Sequence, residues 1–210
     1  MSKYLDRIFY INLEYRKDRR EEIETELQKY DLLDKSERFI GFHVPEQGIL
    51  GCSKSHLAVL KLARERGYKN TLILEDDFEF LVSKEEFERN LSGFFESELK
   101  DKYDVCMISF NVLEENTEPV QECPNLVHRI VNSQTASGYI VNGAYLDTFI
   151  ALYEWSCPLL EETKEHWNYA NDQCWKELQR KDKWFHFIER IGKQRSGFSD
   201  NSMEFLDFYC

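Results

Sequence analysis

The strongest local signal in the sequence is residues 71–77, which read Thr-Leu-Ile-Leu-Glu-Asp-Asp. An apolar run followed by three carboxylates predicts a buried strand that ends in an acidic turn. In an open α/β sheet, ligands bind beyond the carboxyl ends of the strands. Strand alternation predicts Glu75 and Asp77 on one side and Asp76 on the other. Two carboxylates on one side suit Mg²⁺ or Mn²⁺, and the alternative is a solvated acidic turn.

The segments on both sides of this stretch alternate between strand and helix patterns, which is typical of an α/β fold. Further strands are predicted at 8–13, 39–42, 103–110, 137–141 and 184–188, and helices near Asp18, Ser53, Ser83, Gly143 and Asn171. Ser83 with Glu86 fits a capping box, and Gly67 is placed just after the end of a helix. Residues 111–125 predict a loop. We expect one domain over 1–210, with 192–210 as a flexible lid or tail.

The composition excludes several classes of protein. Among 210 residues, 27 Lys and Arg oppose 39 Asp and Glu, and the net charge of −12 argues against nucleic acid or anionic membranes as partners. No apolar run approaches the roughly 18–20 residues that cross a bilayer. Residues 1–7 lack the apolar core of a signal peptide, so we expect a cytoplasmic protein, in a bacterium or, if viral, in its host. The six cysteines form no Cys-x-x-Cys pair.

A glycine-containing segment provides a first candidate contact for phosphate. Residues 48–56 read Gly-Ile-Leu-Gly-Cys-Ser-Lys-Ser-His. Gly51 allows close backbone approach, and the first turn of the next helix would present free N–H groups to an anion, with Ser55 as a further donor. The alternative is an ordinary helix that Ser53 caps, with His56 hydrogen-bonded locally.

A basic segment provides a second candidate contact. Arg16 and Arg19 follow the first strand, and arginine suits phosphate because its planar guanidinium offers paired donors. The alternative is that the arginines of this segment form ion pairs on the helix face, as Arg20 could with Glu24.

Four segments, in this order, resemble glycosyltransferase family 25, which includes lipooligosaccharide and collagen galactosyltransferase-like proteins. They are 8–19, with its Ile-Phe-Tyr-Ile-Asn-Leu start; 48–56; Leu-Glu-Asp-Asp at 74–77; and Ala-Ser-Gly-Tyr-Ile-Val at 136–141. A weaker match continues through Asp172 and 194–200. The resemblance implies a GT-A-type, Rossmann-like nucleotide-sugar-binding fold with a mixed central sheet flanked by helices.

The same resemblance implies a metal-dependent, inverting glycosyltransferase that moves a hexose, galactose or glucose, from a UDP-sugar to a hydroxyl of a glycan, lipooligosaccharide or glycoprotein. Asp77 and Glu75 would hold Mn²⁺ or Mg²⁺. Asp172 would be the catalytic base, although an Asp near a helix start also commonly caps the helix or complements its dipole. Tyr139 and Asn142 are expected on the acceptor side. The expected donor-binding residues are Asn12, Leu13, Arg16, Arg19, Gly51, Ser55, Asp76 and Gln194.

Two alternatives to this function remain. One is a non-catalytic, glycosyltransferase-like domain that binds carbohydrate or a partner protein. The other is a divalent-metal phosphohydrolase, which would need further Asp or His ligands for two-metal chemistry. The five histidines form no His-x-His or His-Asp pair, which argues against the phosphohydrolase.

Overall fold

The computed structural model describes residues 3–199 and 204–206. The strands are β1 (Arg7–Asn12), β2 (Ser36–Ile40), β3 (Asn70–Glu75), β4 (Phe78–Phe80), β5 (Val105–Asn116), β6 (Val127–Asn142), β7 (Trp184–Phe187), β8 (Gly192–Gln194), β9 (Gly197–Ser199) and β10 (Glu204–Leu206). The helices are α1 (Lys17–Lys29), α2 (Gly48–Glu65), α3 (Lys84–Glu96), α4 (Leu146–Thr163), α5 (His166–Tyr169), α6 (Asn171–Cys174) and α7 (Lys176–Lys181). Short 3₁₀ helices occupy Leu33–Lys35, Glu98–Asp101 and Gly143–Tyr145.

A six-stranded mixed sheet in the order β2-β1-β3-β6-β5-β7 forms the centre of the protein. β1 pairs in parallel with both β2 and β3, whereas β6 runs antiparallel to β3, β5 and β7. Because β1, β2 and β3 are parallel, their carboxyl ends meet at one edge of the sheet. The segments after Asn12, Ile40 and Glu75 therefore lie next to one another.

The sheet is buried on both faces, as the apolar strand sequences predict. Successive residues of β3 alternate between two apolar clusters, with Leu72 and Leu74 in one and Ile73 in the other. The first cluster includes residues of α1 and α3, and the second includes residues of α2 and α4. Each such side chain contributes about 1.5–3 kcal/mol by leaving water. Truncating fully buried Ile73 to Ala would cost about 2–5 kcal/mol.

Two predictions about helix ends are confirmed. The Ser83 hydroxyl accepts a hydrogen bond from the Glu86 backbone N–H, and the Glu86 carboxylate accepts one from the Ser83 N–H, which completes the capping box of α3. Gly67 follows the end of α2 with φ +69°, a conformation that glycine adopts without steric cost.

The predicted N-cap of α2 is wrong by six residues, because the N-cap is Gln47 rather than Ser53. The helix begins at Gly48, so Ser53 lies inside it, fully buried, and its hydroxyl accepts a hydrogen bond from the Asn171 N–H. Gly51 also lies within the helix, where an added Cβ would stand 2.3 Å from the Phe42 carbonyl oxygen. The glycine thus serves close packing of the preceding loop on the helix rather than a turn before it.

Other boundaries also differ from the prediction. β5 extends to Asn116 and β6 begins at Val127, so the predicted loop at 111–125 is partly a long antiparallel hairpin. Its polar side chains point to solvent at several positions, and composition alone therefore suggested a loop. The single helix expected from Asn171 is divided into α6 and α7. β4 and β8 were missed because strands of three residues leave no periodic pattern.

The segment predicted as a lid or tail, 192–210, begins with β8, which pairs antiparallel with β4, and continues into β9, which pairs antiparallel with β10. Residues 200–203 and 207–210 lie outside the described residues, as do residues 1–2 of the N-terminal segment, and the lid stays a prediction. No helix in the described ranges combines the length and apolar character needed to cross a membrane.

Candidate active site

A cavity of about 600 Å³ lies at the edge of the sheet where β1 and β3 end. The end of β1, the loop before α2, the first turns of α2 and the acidic turn after β3 enclose it. Its lining residues are Ile11, Leu13, Tyr15, Arg19, Gly41, Phe42, His43, Val44, Pro45, Glu46, Gly48, Cys52, Ser55, Glu75, Asp76, Asp77 and Gln194. The cavity therefore lies where the parallel strands of an α/β sheet place a ligand.

The acidic turn divides its three carboxylates between two partners. β3 ends at Glu75, and Asp76 and Asp77 form the turn into β4, so strand alternation does not apply beyond Glu75. Glu75 faces α2, where His56 Nε2 lies 2.9 Å from its Oε1. Asp76 and Asp77 instead share Arg19, whose Nη1 lies 3.2 Å from an oxygen of each. The predicted same-side pairing of Glu75 with Asp77 thus gives way to an Asp76–Arg19–Asp77 bridge.

Asp77 has the most perturbed carboxylate of the turn. Gln194 Nε2 donates to its Oδ2 at 2.9 Å, whereas its Oδ1 is buried with no hydrogen-bond partner among the described residues. Burial and the negative charges of Glu75 and Asp76 raise the pKa of Asp77 to about 7. A divalent cation would satisfy the unpaired oxygen and offset the repulsion, and carboxylate oxygens are the ligands that Mg²⁺ and Mn²⁺ prefer. The residues therefore fit the predicted metal.

A chain of hydrogen bonds from Arg38 through Asn12 orients Asp76. Asn12 Nδ2 donates to Asp76 Oδ2 at 2.7 Å, and Arg38 Nε donates to Asn12 Oδ1 at 3.0 Å. Burial raises the pKa of Asp76, which opposes its ionisation in the metal-free chain. Asn12 is itself buried and does not line the cavity, so it acts on the predicted donor site by positioning Asp76.

Glu75 belongs to a second network that links the sheet to α2. His56 Nδ1 lies 2.8 Å from the Tyr139 hydroxyl, and Cys52 Sγ donates to Glu75 Oε1 at 3.4 Å. Burial favours the uncharged form of Glu75, but the hydrogen bonds from His56 and Cys52 and the nearby charges together hold its pKa below the usual range. Burial raises the pKa of the Cys52 thiol, which keeps its proton. Cys52, His56 and Glu75 bring S, N and O ligand atoms within 4.8 Å of one another.

The structure brings most of the predicted site residues to this cavity. Those that line it are Leu13, Arg19, Ser55, Glu75, Asp76, Asp77 and Gln194. Ser55 also ties the helix to the preceding loop, because its hydroxyl accepts from the Phe42 N–H at 2.8 Å and donates to the Gly51 carbonyl oxygen at 2.7 Å.

Several predicted residues lie elsewhere. The Arg16 guanidinium binds the Asp18 carboxylate at 2.9 Å and does not line the cavity. Tyr139, expected on the acceptor side, is fully buried behind His56 and does not reach the cavity. Asn142 pairs with Asn70 at the start of β3, the end opposite Glu75, and caps the 3₁₀ helix at Gly143–Tyr145. Tyr139 and Asn142 both lie in β6. The sequence of a strand does not reveal which of its ends lies near the acidic turn, so their positions could not be predicted.

Asp172 lies beside the acidic side of the cavity without lining it. α6 is anchored on α2, since the Asn171 N–H donates to Ser53 Oγ and Asn171 Nδ2 approaches Cys52 Sγ at 3.5 Å. The Asp172 carboxylate accepts from the Thr135 N–H at 3.3 Å. Burial, with the negative charge of Glu75, raises the pKa of Asp172. Asp172 does not cap α6, but it lies in the first turn of that helix, where a carboxylate complements the dipole, as the alternative considered above allows.

Sequence reasoning missed the aromatic side of the cavity. Tyr15 and Phe42 are each about half exposed, and the Tyr15 ring meets His43 edge to face at 5.1 Å between centroids. Each follows the carboxyl end of a parallel strand, β1 or β2. The signal available in the sequence was an aromatic residue shortly after each of these strands. Parallel neighbouring strands bring both segments to the same edge of the sheet, where a ligand binds.

Comparison with known proteins agrees with this fold. No protein-family model matches the chain. A Drosophila melanogaster protein named as a glycosyltransferase 25 family member is 30% identical over 165 residues, which is 66% of this chain and 26% of that protein. The chain thus spans about a quarter of the length of this relative. The predicted resemblance to glycosyltransferase family 25 is confirmed.

A solved structure supports the fold independently. It is a glycosyltransferase involved in the glycosylation of the major capsid of PBCV-1, with a TM-score of 0.56, 9% identity, and coverage of 91% of this chain and 93% of that chain. The predicted GT-A-type α/β fold, with a mixed central sheet flanked by helices, is confirmed. The sequence relative and this structural neighbour are both glycosyltransferases, the class predicted from the sequence.

Proposed function

We propose that this chain is a metal-dependent glycosyltransferase that transfers a hexose from a UDP-sugar to a hydroxyl of a glycan or glycoprotein, with inversion at the anomeric carbon. The observation that carries the proposal is the carboxylate of Asp77. It lines a cavity at the strand ends, has one buried oxygen without a partner among the described residues, and has a pKa of about 7. Such a group is poised to exchange a proton for a cation at neutral pH.

Asp77 and its neighbour Asp76 would hold the cation, Mn²⁺ or Mg²⁺. Glu75 is a less direct ligand, because its Oε1 already accepts from His56 and Cys52. When bound, the metal supplies positive charge that stabilises the leaving diphosphate. The chain itself contributes the ionised carboxylate of Asp77. Because burial and the neighbouring negative charges raise the pKa of Asp77 to about 7, the fraction of this ionised form changes with pH near neutrality.

Arg19 would bind the donor diphosphate beside the carboxylates. Its guanidinium is largely buried, with 15% of the side chain exposed, and it already bridges two carboxylates. A buried guanidinium on the cavity wall binds phosphate oxygens through paired, charge-assisted hydrogen bonds. Negative charge that develops on the leaving group would then meet a fixed positive partner, which lowers the barrier to transfer.

The aromatic side of the cavity would bind the nucleobase. Tyr15 and Phe42 line the same cavity as the acidic turn with half-exposed rings, and a flat heterocycle such as uracil stacks on such rings. Leu13 and Ser55 complete this wall with an apolar and a hydroxyl group. The cavity would thus hold the base against the aromatic rings and the diphosphate beside Arg19 and the carboxylates. A nucleotide-sugar carries both of these groups.

Asp172 is the proposed general base for the acceptor hydroxyl. Inversion needs one in-line attack, with a carboxylate on the acceptor side to take the proton. Burial raises the pKa of Asp172, which makes its ionised form a stronger base than an exposed carboxylate. The Thr135 N–H donates to one of its oxygens at 3.3 Å and Gln173 Nε2 donates to the other at 3.2 Å, so both oxygens of the proposed base are held in place.

Calorimetry with UDP, in the presence and absence of Mn²⁺, tests this function. We expect UDP binding that requires Mn²⁺, at least about tenfold weaker in EDTA. A screen of UDP-sugars with Mn²⁺ should then release UDP from UDP-galactose or UDP-glucose. Binding of carbohydrate without any nucleotide would instead identify a non-catalytic domain, and hydrolysis of simple phosphate esters would identify a phosphohydrolase. We also propose a cytoplasmic location, which fractionation of the source cell would test.

A further inference from the structure

A second group of potential metal ligands lies on the sheet, away from the acidic turn. Glu115 of β5, His128 of β6 and His186 of β7 bring one oxygen and two nitrogens within 4.8 Å of one another. Among the described residues, none of the three lines the cavity of the candidate active site. The proposed glycosyltransferase chemistry therefore leaves this cluster without a role.

The backbone holds the three ligands in place before any metal arrives. β6 and β7 are antiparallel, and His128 lies directly opposite His186 in their register. Residues opposite each other on antiparallel strands project their side chains from the same face, with Cβ atoms about 4.5–5.5 Å apart. The Glu115 Oε2 atom stands between them, 3.1 Å from His128 Nδ1 and 2.5 Å from His186 Nε2.

His186 has the environment that fixes a metal-binding imidazole. Its Nδ1 donates to the Phe187 carbonyl oxygen at 2.8 Å, which leaves Nε2, the nitrogen that faces Glu115, as the atom that a metal would bind in place of a proton. Histidines that bind metals generally donate their other ring N–H to a carbonyl or carboxylate in this way. The Phe110 ring, 4.4 Å from the imidazole centroid, packs against it and restricts its rotation.

The donor set indicates which metal would bind. We propose that Glu115, His128 and His186 form a Zn²⁺ site, with water completing the coordination. Two imidazole nitrogens and one carboxylate oxygen, with one open position, are a common tetrahedral zinc set, whereas Mg²⁺ prefers oxygen ligands. Glu115 and His128 are partly exposed, with 30% and 21% of their side chains accessible, which leaves the fourth position open to solvent.

Only a small movement is needed to admit the ion. In a tetrahedral site with bonds near 2.0 Å, ligand atoms stand about 3.3 Å apart. The separation of Glu115 from His128 already approaches that value. The separation from His186 must open by somewhat less than about 1 Å, which the partly exposed Glu115 side chain can provide by rotation. The bound ion would then tie the end of the β5–β6 hairpin to strand β7 at the edge of the sheet.

The test is calorimetric titration of the full chain with ZnCl₂, after removal of metals and with a reductant that protects the thiols. We expect one site whose affinity falls at least about tenfold in His128→Ala and in Glu115→Gln. Mg²⁺ in large excess should not compete. His166→Ala, which alters an exposed histidine, serves as the matched control and should bind Zn²⁺ like the original chain.

Two further variants separate this site from the candidate active site. Cys52→Ser removes the thiol from the cluster of Cys52, His56 and Glu75, and Asp77→Asn alters the acidic turn; both should retain the Zn²⁺ affinity. The proposal is overturned if the original chain binds no Zn²⁺, if His128→Ala keeps its affinity within about twofold, or if Cys52→Ser alone abolishes binding. Crystals soaked with ZnCl₂ should show an anomalous peak between the two histidines.

Discussion

His56 Nε2 lies 2.9 Å from Glu75 Oε1, which joins the third turn of α2 to the carboxyl end of β3. An ionised carboxylate only accepts hydrogen bonds, so this nitrogen carries the proton and Nδ1 faces the Tyr139 hydroxyl. The histidine therefore holds both a carboxylate of the candidate site and a buried phenol in fixed positions. This contact makes the stability of the fold and the charge of the site depend on the same side chain.

Replacing His56 by phenylalanine should destabilise the protein. The ring volume is kept, but Glu75 and the buried Tyr139 hydroxyl both lose a partner, and leaving such groups unpaired costs about 2–4 kcal/mol. Urea unfolding monitored by circular dichroism measures the loss. His166→Phe, at an exposed position, should change the free energy of unfolding by less than about 0.5 kcal/mol. A loss below about 1 kcal/mol for His56→Phe would show that the contact contributes little.

Mn²⁺ binding should depend steeply on pH around neutrality. The pKa of Asp77 is about 7, and the proton competes with the cation for the same oxygens. Affinity should therefore fall about tenfold for each pH unit below 7 and level off above it. Calorimetric titrations from pH 5.5 to 8.5 would show this profile. The same affinity at pH 5.5 and pH 8 would exclude Asp77 as the titrating ligand.

The metal-free chain should lose stability as the pH rises. The folded-state pKa of Asp77 lies above its usual value of 3.8, so the folded chain binds this proton more tightly than the unfolded chain. The resulting stabilisation is complete below about pH 4 and is lost as the pH rises through 7, on the order of 2–4 kcal/mol in all. Urea unfolding in EDTA at pH 5 and pH 8 measures it. Asp77→Asn should remove most of this difference.

Arg19→Gln should weaken UDP binding and destabilise the metal-free fold. Asp76 and Asp77 would keep their mutual repulsion and lose the guanidinium that both contact, at a cost of about 3 kcal/mol. UDP affinity at pH 8 should fall at least about tenfold, since a charge-assisted contact to phosphate is removed. Arg20→Gln is the control, because Arg20 forms an exposed helix pair with Glu24. Equal losses in both variants would contradict a specific role for Arg19.

Gly51→Ala should deform the cavity wall. The new Cβ would stand 2.3 Å from the Phe42 carbonyl oxygen, so the loop before α2 must move, at a cost of about 1–3 kcal/mol. Because Phe42 lines the proposed base site, UDP affinity should fall as well. Gly67→Ala provides a matched loss of about 1 kcal/mol from backbone strain alone and should leave UDP affinity unchanged.

Asp172→Asn should abolish sugar transfer and leave Mn²⁺-dependent UDP binding within about twofold. The asparagine can still accept the hydrogen bond from the Thr135 N–H, so the fold is kept while the base is lost. Asp147→Asn changes an exposed carboxylate at the start of α4 and should transfer at the normal rate. Near-normal turnover in Asp172→Asn would assign the base to another residue.

Local signals were sufficient for much of the fold. β3 was predicted within one residue at each end, because an apolar run of this length between polar residues is typical of a short buried strand. The cap at Ser83 and the glycine after α2 were also correct, since each involves contacts within one turn of chain. The long β5–β6 hairpin was underestimated, because cross-strand pairing, rather than composition, keeps its polar half extended.

The candidate site was only partly predictable, because its geometry depends on contacts between distant segments. Arg16 and Arg19 look equivalent in the sequence, but the orientation of α1 sends one to Asp18 and the other to the acidic turn. Nothing near His56 indicates that Glu75 lies within hydrogen-bond distance. Conversely, Asn142 looked like a site residue because it follows a matching motif, yet the antiparallel direction of β6 carries it to the far end of the sheet.

The β4–β8 pairing has a consequence for how this protein matures. The contact between Asp77 and Gln194 joins positions 117 residues apart. At about 5–20 residues per second, the ribosome completes Gln194 some 6–23 seconds after Asp77. A nascent chain can therefore form most of its central sheet while the acidic turn still lacks this strand partner and the amide of Gln194. Competence to bind a cation and nucleotide would then be acquired only after Gln194 has been synthesised.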